Sequence, residues 1–138
     1  MHTIDDFQQR IVGCFPAHLG LRFTSADPAA VRVECPVAPF LMAPNGYMHG
    51  GAVVSIADTC AGFACFANLP HTAVGYTTVE LKSNFLGTAS DGTIDAVATA
   101  VHLGRSTHVW DVMVSHRESQ RTIAVFRCTQ MLLYSKGA

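Results

Sequence analysis

The hydrophobic and polar positions along the chain predict a short helix, a long apolar helix and about six strands. Hydrophobic residues at helical spacing indicate an amphipathic helix over residues 4–12. Alternating hydrophobic residues between Leu21 and Val37, on both sides of a turn at Asp27, are typical of a β-hairpin. Four further β-rich runs cover about 73–86, 92–103, 107–117 and 121–134.

The longest hydrophobic segment runs from Gly50 to about Phe66, and its length predicts a helix of roughly four to five turns. A surface helix has a polar face, but this segment contains no Lys, Arg, Glu or Gln. Its polar members are Ser55, Asp58, Thr59 and cysteines. We therefore expect it to be buried nearly all round. The economical fold is α+β, with an antiparallel β-sheet curled around one long central helix.

The composition favours a folded domain that hides part of its surface in another copy of the chain. Of the 138 residues, 49% are hydrophobic and 14% are charged. These fractions exclude intrinsic disorder and leave few charged side chains to cover a free surface. We expect a single domain over residues 1–138. The net charge of −1, with histidine neutral, argues against nucleic acid and anionic membrane as partners.

The N-terminal residues and the cysteine and histidine content bear on compartment and metal binding. Residues 1–6 contain neither a basic nor an apolar signal region, so we expect no signal peptide and a cytoplasmic protein. The apolar helix carries Asp58 and is short for a membrane span. Five cysteines without a CxxC pair predict reduced, mostly buried thiols. Seven histidines without HxxxH or HExxH spacing predict no metal site, and no cofactor is expected.

Asp58, in the middle of the apolar helix, is the first candidate for chemistry. A buried carboxylate without a partner is costly or takes up a proton. It is either a structural group that caps a loop or pairs with an Arg, or a dry base or nucleophile. His49-Gly50-Gly51, directly before the helix, favours the second interpretation. Glycines let a ligand approach the free N–H groups and the positive end of the helix, which stabilise a developing oxyanion.

These residues lie in a segment that resembles the signature of hotdog-fold acyl-CoA thioesterases. The resemblance is to the phenylacetic-acid-degradation, hydroxybenzoyl-CoA and dihydroxynaphthoyl-CoA types, and it is carried by Asn45-Gly46-Tyr47-Met48-His49-Gly50-Gly51 with Ala57-Asp58. The segment from His102 to Trp110 fits the same pattern, and the resemblance covers about residues 15–134. It implies the hotdog fold, an acyl-CoA substrate, and a homodimer that often assembles further into a homotetramer.

The resemblance also implies roles for individual residues. Gly50 would offer its backbone N–H to the thioester carbonyl oxygen, and His49 would orient the loop at the start of the helix. Asp58 would act as general base on water or as nucleophile, with Thr78 holding the attacking water. An Asp at this position matches the phenylacetate-type branch, whereas the hydroxybenzoyl type uses Glu.

Further candidates for substrate binding are Gly51 and Asn45 near the helix start, Tyr47 and Met48 in the preceding loop, and Gly104 and Arg105 between two strands. Tyr47 and Met48 suit an acyl pocket or ordinary packing equally. Arg105 suits either the phosphates of CoA or a solvated turn. The remaining large aromatic residues are expected in the core: Phe85, Trp110 and Phe126.

Two positions depart from the family pattern. Ala43 stands six residues before His49, where the family has Asn or Gln, and Asn45 replaces that amide only if the loop follows a different path. Gly62 stands four residues after the carboxylate, where the hydroxybenzoyl-type branch has Ser or Thr. These departures bear on rate and substrate class more than on the type of reaction.

Helix geometry adds a constraint of its own. Gly50 and Asp58 are eight residues apart, which is about 12 Å along a helix axis. A donor to the carbonyl oxygen and a carboxylate acting at the carbonyl carbon both have to lie within about 3 Å of the reacting group. One helix cannot easily supply both. We therefore expect two antiparallel helices from two chains to share each site.

The sequence thus favours an acyl-CoA thioesterase over two alternatives. One alternative is a hotdog hydratase or dehydratase, although the chain lacks a convincing Gly-Asp-x-Asn-Pro stretch. The other is a non-catalytic acyl-CoA-binding module, which the departures at Ala43 and Gly62 keep open.

Overall fold

The computed structural model describes residues 1–137 and contains three α-helices and six strands within them. The helices are α1 (Ile4–Arg10), α2 (Phe15–His18) and α3 (Gly50–Ala67). The strands are β1 (Arg22–Ser25), β2 (Val31–Pro36), β3 (Ala73–Phe85), β4 (Thr93–Leu103), β5 (Thr107–His116) and β6 (Arg121–Tyr134). A short 3₁₀ turn, Pro39–Leu41, lies between β2 and α3.

The six strands form one antiparallel sheet in the order β1-β2-β4-β5-β6-β3. The expected hairpin is confirmed as β1 and β2, which pair Phe23 with Val33. The last three strands form a continuous meander, and β3 crosses to its far side, where Leu81 pairs with Cys128 of β6. The two edges of the sheet therefore differ greatly in length, since β1 has 4 residues and β3 has 13.

The N-terminal segment forms two helices where the sequence predicted one. Thr3 and Asp6 close a capping box at the start of α1, each side chain accepting the backbone N–H of the other. Phe7 is fully buried against the rings of Phe23 and Phe63, which attaches α1 to β1 and α3. The chain then turns into α2, with Pro16 in its first turn, a position at which proline favours helix initiation.

Helix α3 packs across the sheet, and the expected α+β hotdog architecture is confirmed. The expectation that α3 is buried nearly all round is wrong for the single chain. Its buried residues lie on the side that faces the sheet, among them Ile56 and Cys60, whereas Ser55, Asp58 and Thr59 are half-buried. By length and composition α3 could also cross a membrane, but half of it is buried in this fold, as in the core helix of a soluble protein.

The core is built from α3 and the inward side chains of the sheet. Four of the five cysteines are buried as free thiols, and Cys14 is exposed. Trp110 and Phe126 lie in the core as expected. Phe85 does not, because the end of β3 leaves its side chain half-exposed beside the start of α3.

Candidate active site

The start of α3 presents one free backbone donor. His49 is the N-cap residue, and its Nδ1 accepts the N–H of Gly51 at 2.8 Å. The backbone N–H of His49 donates to the carbonyl of Leu41, also at 2.8 Å, which anchors the preceding loop. Between these two groups lies the N–H of Gly50, and no acceptor for it exists among residues 1–137. It therefore points out at the positive end of an 18-residue helix.

The loop before the helix is a tight turn held by its own backbone. The Ala43 N–H donates to the Tyr47 carbonyl at 2.7 Å, and Gly46 turns the chain with a φ of +86°. Asn45 Oδ1 accepts the Tyr47 N–H at 3.1 Å. That hydrogen bond fixes the Asn45 amide within the turn and leaves its nitrogen as a donor for a ligand. Met48 is buried in the core, whereas Tyr47 is exposed.

The ring of Phe85 lies directly against Gly50. A Cβ at position 50 would come within 3.1 Å of the ring, so a side chain there requires Phe85 to shift. Phe85 is thus a wall of the space in front of the free Gly50 N–H. The expectation that Phe85 lies in the core is therefore wrong.

Asp58 has the environment of a dry carboxylate. Its Oδ1 is buried, and within the described part of the chain nothing donates a hydrogen bond to it. Burial raises the pKa of this carboxyl above its ordinary value. No Arg or Lys of residues 1–137 forms a salt bridge with it. The structural interpretation, with Asp58 paired to an Arg or capping a loop, therefore finds no support.

The charge of Asp58 acts on Tyr76 and Cys128, two residues of the adjoining sheet. Burial is the main cause that raises the pKa of both groups, and the nearby carboxylate adds to it. Position 62, about one helical turn after Asp58, lies against the Tyr76 hydroxyl, so Asp58 lies near this part of β3. Thr78 lies on the same side of β3, two residues after Tyr76.

Thr78 is held by a buried amide. Its Oγ1 donates to Oε1 of Gln130 at 2.8 Å, and Gln130 is fully buried on β6. Thr78 thus lies on the same side of β3 as Tyr76, the residue whose pKa the Asp58 charge affects. Gln130 was not identified from the sequence, although it is a polar residue at an inward position between Cys128 and Leu132 on an alternating strand.

Close packing against β3 explains why position 62 of the helix is a glycine. A Cβ at position 62 would lie 2.8 Å from the hydroxyl of Tyr76, which occupies the space next to the helix there. The space beside the helix at this position is thus filled by a hydroxyl from β3. Tyr76 was not identified from the sequence, because a Tyr on a strand is an ordinary packing residue.

Gly104 and Arg105 form the turn between β4 and β5. A Cβ at Gly104 would lie 2.9 Å from the Thr107 carbonyl, so the turn closes tightly only with glycine. Arg105 is exposed, and its carbonyl accepts a hydrogen bond from the Tyr134 hydroxyl. Thr107, which ends this turn, pairs with Met131, and Met131 also pairs with Thr77. The turn is therefore at the same end of β3 as Tyr76.

The single chain thus separates the candidate residues into two groups. His49, Gly50 and Gly51 lie beside Phe85, at one end of β3. Asp58 lies toward the other end with Thr78, and the turn of Gly104 and Arg105 follows beyond it. A depression of about 530 Å³ on the outer face of the sheet, bordered by Lys82, Met113 and Arg127, contains none of them. The described residues include no group of His, Cys, Asp and Glu side chains that could hold a metal ion.

Comparison with known proteins gives a consistent family. The model of the thioesterase superfamily matches residues 45–124. The Bacillus subtilis (strain 168) protein ComA2, whose name describes a suspected esterase, is 36% identical over 80% of this chain and 87% of its own. The 1,4-dihydroxy-2-naphthoyl-CoA hydrolase of Listeria monocytogenes is 27% identical over 80% of this chain and 89% of its own.

Solved structures extend the likeness to nearly the whole chain. A mutant thioesterase of Pseudomonas aeruginosa superimposes with a TM-score of 0.91 at 28% identity, covering 97% of this chain and 96% of that one. A thioesterase of Haemophilus influenzae also gives 0.91, at 25% identity, covering 97% of this chain and 92% of that one. The likeness in fold therefore includes α3 and the sheet.

Proposed function

Because the chain belongs to the thioesterase superfamily and is a thioester hydrolase, we propose that it hydrolyses acyl-CoA thioesters with water activated by Asp58. The observation that carries this proposal is the state of Asp58, whose Oδ1 is buried on an apolar helix without a donor or a basic partner among residues 1–137. A carboxylate in that state is a stronger base than an exposed one. The name of the Listeria monocytogenes relative supports CoA as the leaving group.

We also propose that the active form is a homodimer joined along β3. This strand lies at the edge of the sheet, is 13 residues long, and has no further strand beside it in the described chain. It carries exposed apolar side chains at Val74, Val79, Leu81 and Phe85. A long edge strand with apolar side chains is a ready surface for pairing with another strand. The half-exposed side of α3 would be covered in the same dimer.

Antiparallel pairing of two β3 strands would unite the two groups of candidate residues. Within one chain, Gly50 lies at the Phe85 end of β3, and Asp58 lies toward the Tyr76 end. A two-fold axis through the middle of β3 sets the Phe85 end of each strand beside the Tyr76 end of the other. Gly50 of one copy then approaches Asp58 and Thr78 of the second. This arrangement removes the separation of about 12 Å along one helix.

The reaction in this shared site is a direct attack of water. The water oxygen bonds to the thioester carbon while one of its protons passes to Asp58. The charge on the carbonyl oxygen is stabilised by the Gly50 N–H of the other copy and by the positive end of that helix. The carbon–sulfur bond then breaks, and the proton held by Asp58 passes to the departing thiolate. The products are the free acid and CoA.

The remaining candidates are proposed to bind the substrate. Arg105 is exposed near the Tyr76 end of β3, the end beside which Asp58 lies. Its guanidinium suits the phosphates of CoA. Tyr47 and Phe85 are aromatic side chains near the free Gly50 N–H, so they suit the acyl group. Pairing of dimers into a tetramer through the outer face of the sheet, at Met113 and Val125, is the corresponding proposal for the higher assembly.

Replacement of Asp58 tests the proposed function. Asp58→Asn keeps the shape and removes the base, so kcat for the best acyl-CoA in a panel of aryl, short, medium and long acyl groups should fall by about 100-fold or more. Asp5→Asn, at an exposed helix position, is the matched control and should retain full activity. Release of CoA is followed with a thiol reagent. Native turnover by Asp58→Asn would show that this carboxylate is structural.

The pH profile gives a second readout of the same group. Burial raises the pKa of Asp58 above its ordinary value of 3.8, and the base works only when deprotonated. The value of kcat/KM should therefore fall as the pH drops through that raised pKa, at a higher pH than for an exposed carboxylate. A single turnover in ¹⁸O-labelled water should label the acid directly. Label in Asp58 instead would identify it as a nucleophile.

A further inference from the structure

Gln130 is a fully buried polar side chain in a core that is otherwise almost entirely apolar. It lies on β6 at an inward position, between the buried residues Cys128 and Leu132. Burying an amide costs free energy unless its hydrogen bonds are formed. An apolar residue at this position would avoid that cost, so the contacts of the amide indicate its use.

Both ends of the Gln130 amide are engaged. Its Oε1 accepts the hydroxyl hydrogen of Thr78 at 2.8 Å, and its Nε2 donates to Cys128 Sγ at 3.6 Å. Burial raises the pKa of the Cys128 thiol to about 12, so the sulfur is an uncharged acceptor. Because Gln130 is fully buried, it cannot touch a substrate, and its direct contact with the proposed site residues is the hydrogen bond to Thr78.

The hydrogen bond decides what Thr78 offers to the site. A threonine hydroxyl has one hydrogen and two lone pairs. With its hydrogen donated to Gln130, Thr78 can only accept a hydrogen bond from any other neighbour. The ionised Asp58 carboxylate is likewise an acceptor only. A water molecule between these two groups must donate one hydrogen to each, and its oxygen lone pairs then face away from both.

We propose that Gln130 is a positioning residue that fixes the Thr78 hydroxyl as an acceptor and thereby aims the attacking water. The inference rests on the proposed function, since it concerns the same water and the same base. In the attack, the water proton bound to Asp58 is transferred to that carboxylate as the bond to carbon forms. The hydrogen bound to Thr78 stays on the oxygen and is carried into the acid product.

A double-mutant cycle tests this role. Gln130→Met keeps the length of the side chain and removes its amide, and the exposed Thr78 hydroxyl is then free to rotate and donate. We expect kcat to fall by about tenfold with little change in KM. Thr78→Val should also lower kcat. If Gln130 acts through Thr78, adding Gln130→Met to Thr78→Val should cause no further loss. Thr78→Ser keeps the hydroxyl and should keep the sensitivity to Gln130→Met.

Leu132→Met, a buried and conservative change two residues along β6, is the control for packing and should leave kcat unchanged. Losses that multiply in the double variant would overturn the role of Gln130, as would an unchanged kcat in Gln130→Met. Asp58→Asn, measured in parallel, distinguishes a failure of the proposed mechanism from a failure of the role of Gln130. If it is inactive while the cycle multiplies, only the role of Gln130 is wrong. If it keeps native turnover, the proposed mechanism and the inference fail together.

Discussion

Strands β2 and β3, on opposite flanks of the sheet, show similar alternation but differ in how far their inward side chains are buried. On β2, the inward residues Val31, Val33 and Cys35 are all 0% exposed, covered by α3 and by neighbouring strands. On β3, the inward residue Leu81 is 41% exposed and Phe85 is 52% exposed. The same alternation therefore yields a closed layer on one flank and an open one on the other.

The candidate active site lies on the open flank. Gly50 lies against Phe85 of β3, Asp58 lies near Tyr76 of β3, and Thr78 belongs to β3 itself. On this strand the described chain leaves apolar side chains exposed and one backbone edge unpaired. The inward side chains of β2 belong to the core, and β2 carries none of the candidate residues. The difference is what the proposed homodimer explains, since a second copy paired along β3 would cover this flank and complete the proposed site.

The largest expected effect is recovery of activity on mixing two inactive variants. Gly50→Pro removes the proposed oxyanion donor at a position that tolerates proline, since Gly50 is the first helical residue and His49 has an extended ψ of 134°. A heterodimer of Gly50→Pro with Asp58→Asn contains one intact site and one doubly defective site. Random mixing should restore about a quarter of the wild-type rate, where each parent alone falls by about 100-fold or more.

Gly50→Ala is the matched control for that experiment. It introduces the same Cβ near Phe85 but keeps the N–H, so it should retain far more activity than Gly50→Pro. Equal inactivity of the two variants would assign the effect to bulk beside Phe85. A mixture that stays inactive despite demonstrated heterodimers, or full activity in a monomer by sedimentation, would contradict a site shared between two copies.

A pair of identical truncations compares the stability of the two flanks. Leu21→Ala removes a side chain that is 1% exposed just before β1, and should cost about 2–5 kcal/mol of unfolding free energy at any protein concentration. Leu81→Ala changes a side chain that is 41% exposed on β3. Its cost should be small in dilute solution and grow with protein concentration, because the lost contact is between copies. Urea unfolding at several protein concentrations measures both costs. The same dependence on protein concentration in the two variants would contradict a contact between copies at β3.

Most of the fold could be predicted from the sequence because it follows from patterns within single segments. The length of α3, the hairpin and the four later strands came from periodicity and breaks at Gly and Pro, and the thioesterase assignment came from His49-Gly50-Gly51 with Asp58. Because the chain is a thioester hydrolase, the alternative of a non-catalytic module is set aside. α2 was missed because four residues are too few for a helical period to be visible.

The parts of the site that escaped prediction depend on contacts between distant segments. Gln130 and Thr78 are 52 residues apart in sequence, and nothing local indicates that their side chains meet. The same holds for Phe85 at Gly50 and for Tyr76 at Gly62, where a glycine in the helix makes room for a side chain on β3. The near-complete burial expected for α3 was wrong because an apolar composition does not determine what covers each side of a helix, and the single chain covers one side.

The smallest expected effect concerns Gly62 and Tyr76, where the open flank touches the helix. In a helix interior, replacing Gly by Ala stabilises by about 1 kcal/mol, but here the new Cβ would lie 2.8 Å from the Tyr76 hydroxyl. Without that oxygen, the nearest ring atom lies at 3.6 Å, an ordinary contact. Gly62→Ala should therefore be neutral or destabilising in the native chain and stabilising by about 1 kcal/mol in Tyr76→Phe. Thermal unfolding of the four variants gives the coupling. If Gly62→Ala stabilises both backgrounds equally, Tyr76 can move away from the new Cβ at no cost in free energy, which would contradict tight packing between β3 and the helix.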